Sequence, residues 1–147
     1  MSNRRRRKQA KAVDDMRDGA PPQLLCCKRC RVAVSASLVT RDAAGLVERD
    51  AADRIPPGAM AIESDAFFPQ HAGWFVVNLA DLRQTDHTTN PARLNGCCGL
   101  DGLDGHNLLC ANGHEIGVEK SDCWMPHCAL LDPSLVFAER DVSQRTR

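Results

Sequence analysis

The chain has no tyrosine, four phenylalanines and two tryptophans in 147 residues. A core must therefore be built from Val, Leu, Ile, Met and Ala, and a small core of that kind often needs a staple. No apolar run reaches the roughly 18 residues of a membrane-spanning helix, so no such helix is expected. The charged N-terminus has no apolar stretch behind it, so it does not read as a secretory signal. Without that export route the expected compartment is reducing and cytoplasmic. The glycine-rich stretch does not follow a clear strand and open a helix, and no Gly-Lys-Ser/Thr follows it, which makes the phosphate-loop reading weak. Asp101 and Asp104 miss the spacing of an EF-hand. No internal repeat, catalytic triad or carboxylate pair stands out.

Charge is balanced overall but not locally. Arg4, Arg5, Arg6, Arg7, Lys8 and Lys11 fall in the first 12 residues with no acid, leaving 13 bases against 19 acids. The layout is a basic arm on an acidic body. Residues 1–20 read as a disordered tail, with a short helix over Arg6–Arg17 as an option that Gly19 and Pro21-Pro22 would end. The arm, residues 4–11, offers contact with nucleic acid or an acidic partner, but no aromatic is interleaved to stack on bases.

A domain is expected over 21–140, with a frayed end at 141–147. It reads as all-β. Val32, Val34, Ala36 and Leu38 share one face at period two, the signature of a strand. AMAIE after the Pro56-Pro57-Gly58 turn, GWFVVNL, Leu108–Cys110, Ile116–Val118 and Cys128–Leu131 supply further strands. Asn112-Gly113 marks a hairpin, because both residues tolerate positive φ. Residues 41–54 are polar with at most a helical turn, and 81–95 read as a polar loop. Six or seven short strands result.

What is abundant is cysteine, at eight residues. In a reducing compartment such usage favours metal ligation over disulfides. Cys27-Lys28-Arg29-Cys30 is a C-x-x-C leading into a β-pattern, where a redox pair would lead into a helix. Lys28 and Arg29 favour thiolates. Zinc in a structural site takes four such ligands. The second half must come from NGCCGLDGLDGHNLLCANGH, residues 95–114. Neighbouring residues of a strand face opposite ways, so one of Cys97 and Cys98 is expected to reach the ion, with Cys98 favoured by Gly99 behind it. The expected Zn2+ set is Cys27, Cys30, Cys98 and Cys110. Cys97 and His114 are alternates, the latter through C-x3-H spacing or else a plain surface histidine. The glycines would let the chain fold back between Cys98 and Cys110.

Asp122, Cys123 and His127 form a second constellation. It reads either as a thiol–histidine active site or second metal site, or as filler around a core Trp124.

The segments LLCCKRC and LLCANGHEIGVE resemble the β-tent zinc domains, the family of the yippee proteins and the thalidomide-binding domain of cereblon, with a fold shared by methionine sulfoxide reductase B. The resemblance covers Leu24 to Leu131, best at its ends. It implies two antiparallel sheets pinned by one zinc held by two C-x-x-C knuckles. This sequence departs from it at Gly113, which stands where the fourth ligand should be, so the missing ligand must come from Cys97, Cys98 or His114. The cereblon-like branch implies an aromatic cage, for which Trp74 and Trp124 are the candidates. The reductase branch implies a catalytic cysteine, and Cys123, the one candidate, lies in a sequence that does not match. The function expected is a zinc-stabilised binding module for a small molecule or a protein. A thiol- or zinc-dependent enzyme using Cys123 and His127 is the alternative, and nucleic-acid association through the arm is a weaker one.

Overall fold

A computed structural model describes residues 21–64 and 67–144. The basic arm, its optional helix and residues 145–147 lie outside the described residues. The described chain is mainly β, with 3-10 turns between strands and no α-helix.

Strand β1 (Gln23–Cys27) pairs antiparallel with β9 (Val136–Arg140) in a two-stranded sheet. The other seven strands form one sheet. They are β2 (Val39–Thr40), β3 (Ala59–Ile62), β4 (Phe75–Val77), β5 (Thr85–His87), β6 (Leu108–Cys110), β7 (Glu115–Lys120) and β8 (Cys128–Leu131). Their order is β2-β3-β4-β8-β7-β6-β5, antiparallel except for β2 against β3. Between β4 and β7, β8 is the strand CALL, buried along its whole length. An unbroken apolar run of this length suits a strand covered on both faces.

The two faces of the large sheet carry two clusters. Val77, Leu108, Cys110, Ile116, Ala129 and Leu131 pack towards Leu25, Cys27 and Val136 of the small sheet. Val76, Val118, Cys128 and Leu130 pack on the other face with Ile55, Phe68 and Trp74. Residues two apart on a strand normally share a face, yet Ile116 and Val118 do not. A register shift explains this: Leu108 faces Gly117 while Leu109 faces Glu115, so Ile116 is the extra residue of a bulge. Gly117 lies at that point because a Cβ there would stand 2.2 Å from the Leu130 carbonyl oxygen.

Several sequence expectations change. The Val32–Leu38 run buries Val34 and Leu38, but makes isolated bridges at Ala33, Ser35 and Leu38 in place of a strand. The Ser35 hydroxyl accepts the Leu25 N–H at 2.9 Å, taking the place of a main-chain ladder bond. The polar 81–95 segment contains β5, an exposed edge strand. The helical turn expected in 41–54 is a 3-10 turn at Ala43–Gly45, capped by Asp42. The expected frayed end is anchored as far as Ser143, whose N–H and hydroxyl both donate to the buried Asp141.

Three charged side chains are buried beside the second cluster: Arg54, Glu63 and Lys120. The Arg54 guanidinium binds both Glu63 carboxylate oxygens and lies over Phe68 at 4.7 Å. Lys120 Nζ lies over the same ring at 4.6 Å and donates to the Asp101 carbonyl at 2.9 Å. Burial lowers the Lys120 pKa.

Candidate metal centre

The first knuckle is made where β1 ends. The Arg31 N–H donates to the Cys27 carbonyl at 2.8 Å, and the Cys27 N–H donates to the Val32 carbonyl at 2.9 Å. Arg31 takes a positive φ of 65°, which turns the chain back after Cys30. The second is the hairpin between β6 and β7. There the Gly113 N–H reaches the Cys110 carbonyl at 2.9 Å, the Cys110 N–H reaches the His114 carbonyl at 2.8 Å, and Gly113 has φ 83°. The Asn-Gly turn read from the sequence therefore sets Cys110 and His114 side by side.

These turns bring together Cys27, Cys30, Cys110 and His114, whose donor atoms all lie within 4.8 Å of one another. Cys30 Sγ is 3.7 Å from Cys110 Sγ. His114 Nδ1 is 3.4 Å from Cys110 Sγ and 3.6 Å from Cys27 Sγ. A tetrahedral zinc with ordinary Zn–S and Zn–N bonds has S–S edges of about 3.8 Å and S–N edges of about 3.5 Å. The geometry therefore fits a four-coordinate ion. Cys27 and Cys110 are buried, while Cys30 and His114 are partly so.

The electrostatics favour a thiolate at Cys30. A hydrogen bond from the Asn112 side chain and another from the Val32 N–H outweigh partial burial and lower its pKa to about 6. Burial raises the Cys110 pKa despite the N–H groups of His114 and Asn112 directed at it. Asn112 thus has a role beyond its turn conformation. The only trace of this in the sequence is its place two residues after a ligand.

The expected set Cys27, Cys30, Cys98 and Cys110 is corrected in its fourth member: the structure gathers His114 there, the C-x3-H alternate. Cys98 instead stands with Cys97 and Cys123 in a separate exposed group whose sulfurs also lie within 4.8 Å of one another. The physical reason lies at Gly99. A Cβ on it would meet the Ser121 carbonyl oxygen at 2.2 Å, so this loop closes on the 121–123 turn and not on the hairpin. The Cys98 thiol is pushed up to about 12 by hydrogen bonding to Cys123, then by Cys97.

Asp122 does not orient His127 through its carboxylate. The His127 ring meets the Asp122 main-chain carbonyl at 2.9 Å, while the carboxylate accepts four other N–H groups. Those donors hold it well below the usual carboxylate range, the Cys98 and Cys97 N–H groups foremost. Trp74 and Trp124 are not drawn into one cage. Trp74 stacks between His71 at 4.5 Å and His106 at 5.6 Å, whereas Trp124 is 53% exposed and donates its indole N–H to Asp122 at 2.8 Å. Among the described residues no ring contact joins them.

What the arrangement can do chemically is hold a metal ion in a closed tetrahedron of three sulfurs and one nitrogen. No helix among the described residues is long and apolar enough to cross a membrane. Set against family models, curated proteins and solved structures, the chain matches none.

Proposed function

We propose that this chain is a small binding module whose two sheets are stapled by one structural Zn2+ on Cys27, Cys30, Cys110 and His114. The observation that carries the reading is the set of four donors at tetrahedral spacing, two from the end of the small sheet and two from a hairpin of the large one. Four protein ligands leave no open position, which is the pattern of a structural site; a catalytic zinc keeps one free. Zinc is favoured over harder cations because thiolate and imidazole are soft or borderline donors. The resemblance to β-tent domains supports the same reading, with His114 supplying the ligand that Gly113 cannot. Thiolate ligation suits a reducing cytoplasm. The partner, a small molecule or a protein, would meet the exposed Trp124 side of the domain. The thiol-enzyme alternative needs a Cys123–His127–Asp122 relay, and His127 is hydrogen-bonded to the Asp122 main chain instead.

The test is native mass spectrometry of the full chain, expressed without added metal. One zinc that resists a weak chelator is expected. Its loss should accompany His114→Ala or Cys110→Ser together with loss of the cooperative thermal transition, since structural zinc binding and folding are coupled. A chain that keeps its transition after complete metal removal overturns the proposal.

A further inference from the structure

Six of the eight cysteines fall into two groups that share no residue, and the second is built differently from the first. Cys97, Cys98 and Cys123 are all exposed. Cys98 Sγ is 3.8 Å from Cys97 Sγ, about the S–S edge of a metal–thiolate polyhedron. Two of these cysteines are sequence neighbours, but the third arrives from 25 residues away, and a buried carboxylate brings it there.

Asp122 is 1% exposed. Its Oδ1 accepts the Cys98 N–H at 3.0 Å and the Cys123 N–H at 2.8 Å. Its Oδ2 accepts the Cys97 N–H at 3.0 Å and the Trp124 indole N–H at 2.8 Å. The main-chain amides of all three cysteines thus converge on one side chain. With both oxygens occupied by four donors, Asp122 serves to position the cysteines and is not a ligand. The loop is clamped from outside as well. The Asp101 N–H closes it on the Asn95 carbonyl at 2.9 Å, and the Ser121 N–H donates to the Leu100 carbonyl at 2.8 Å. The Leu100 N–H returns a bond to the Ser121 hydroxyl at 3.0 Å. Gly96 and Gly99 admit this closeness: a Cβ on Gly96 would fall 1.7 Å from the Gly99 carbonyl oxygen.

We propose that Cys97, Cys98 and Cys123 form a second metal site, a surface three-thiolate site for a soft d10 cation, Zn2+ or Cu+, with its remaining coordination position open to solvent. Sulfur donors select ions of this class over hard cations. Three ligands and an exposed face leave room for water or an incoming thiolate, so this ion exchanges while the closed Cys3His ion does not. Asp122 is a positioning residue: it fixes the three cysteine backbones before the ion arrives.

The full chain, reduced and carrying its tightly held zinc, is titrated separately with Zn2+ and with Cu+ against a graded chelator, and read by native mass spectrometry and by the thiolate-to-metal absorption band. One further ion per chain is expected, released at chelator levels that leave the first zinc bound. Cys123→Ser and the double variant Cys97→Ser/Cys98→Ser should abolish it, with the first zinc and the thermal transition kept. Asp122→Asn leaves every ligand in place and should weaken it roughly 10- to 100-fold, as loss of a supporting hydrogen-bond partner does. A second ion held equally by Cys123→Ser, or no second ion of either kind on the wild-type chain, overturns the proposal. A first zinc lost with Cys123→Ser but kept in His114→Ala would overturn the Cys3His assignment instead.

Discussion

Glu63 is the counter-ion of the buried Arg54 guanidinium, so Glu63→Ala is a severe test of how the large sheet is held. Its carboxylate takes both ends of the Arg54 guanidinium, and the side chains of Arg54 and Glu63 are 2% and 0% exposed. Burial lowers the pKa of Lys120, also fully buried; Cys128, Asp101 and, after them, Glu63 favour its charged form, and Arg54 opposes it. Removing Glu63 leaves the Arg54 guanidinium in an apolar cluster without its bidentate anion. Breaking a buried pair from one side costs about 3–5 kcal/mol. For a chain of this length that lowers the melting temperature by about 10 °C. The assay is urea and thermal denaturation of the full chain at a fixed free metal concentration. Replacing both partners, in Arg54→Met with Glu63→Leu, should recover most of the loss, because an apolar pair of similar volume is often neutral. A cost below about 1 kcal/mol for Glu63→Ala would refute the reasoning, since it would mean that water reaches the guanidinium.

Two further outcomes follow from single residues. His71 is 8% exposed, neither ring nitrogen has a hydrogen-bond partner among the described residues, and burial, with lesser help from Lys120 and His106, lowers its pKa from 6.5 to about 4. The unfolded chain therefore takes up a proton below pH 6.5 that the folded chain refuses until about pH 4. Stability falls as pH drops through that window, by about 1.4 kcal/mol per pH unit at most; urea titrations should show a flatter slope in His71→Phe, and equal slopes would contradict the assignment. Gly99→Ala drives a Cβ against the Ser121 carbonyl oxygen; it should release the second ion and leave the first zinc in place, as read by metal stoichiometry.

The hairpin was legible because Asn112-Gly113 is a local turn signal, although of the two only Gly113 takes a positive φ, and that turn delivers Cys110 and His114 together. C-x-x-C was legible for the same reason: its geometry is local. The choice of Cys98 over His114 failed because the position of Cys98 depends on contacts with Ser121 and Asp122, more than twenty residues on, which no local pattern encodes. Strand β1 was read only as an apolar run before the knuckle, and β5 and β9 were missed as largely exposed elements. Their pairing partners define them, not their own composition. The buried Lys120 did leave a trace, since it follows Ile116 and Val118 at period two, although the bulge at Ile116 hides that rhythm. Glu63 left a similar trace, following Ala59 and Ala61 at period two, whereas Arg54 sits among polar residues and gave none.

The small sheet joins the two ends of the described chain, with Cys26 and Glu139 113 residues apart. Such a pairing is slow to find, because the loop it closes is long. The two knuckles join residues 80 apart, Cys30 and Cys110. An ion captured there first would leave a segment roughly a quarter as long to bring β9 back to β1, easing closure by about 1 kcal/mol. The metal would then act as a kinetic clasp as well as a staple: in its absence β1 and β9 would meet last and late, exposing two unpaired strand edges in the interval. A chain synthesised under zinc starvation should therefore be lost to aggregation during folding, before its equilibrium stability matters.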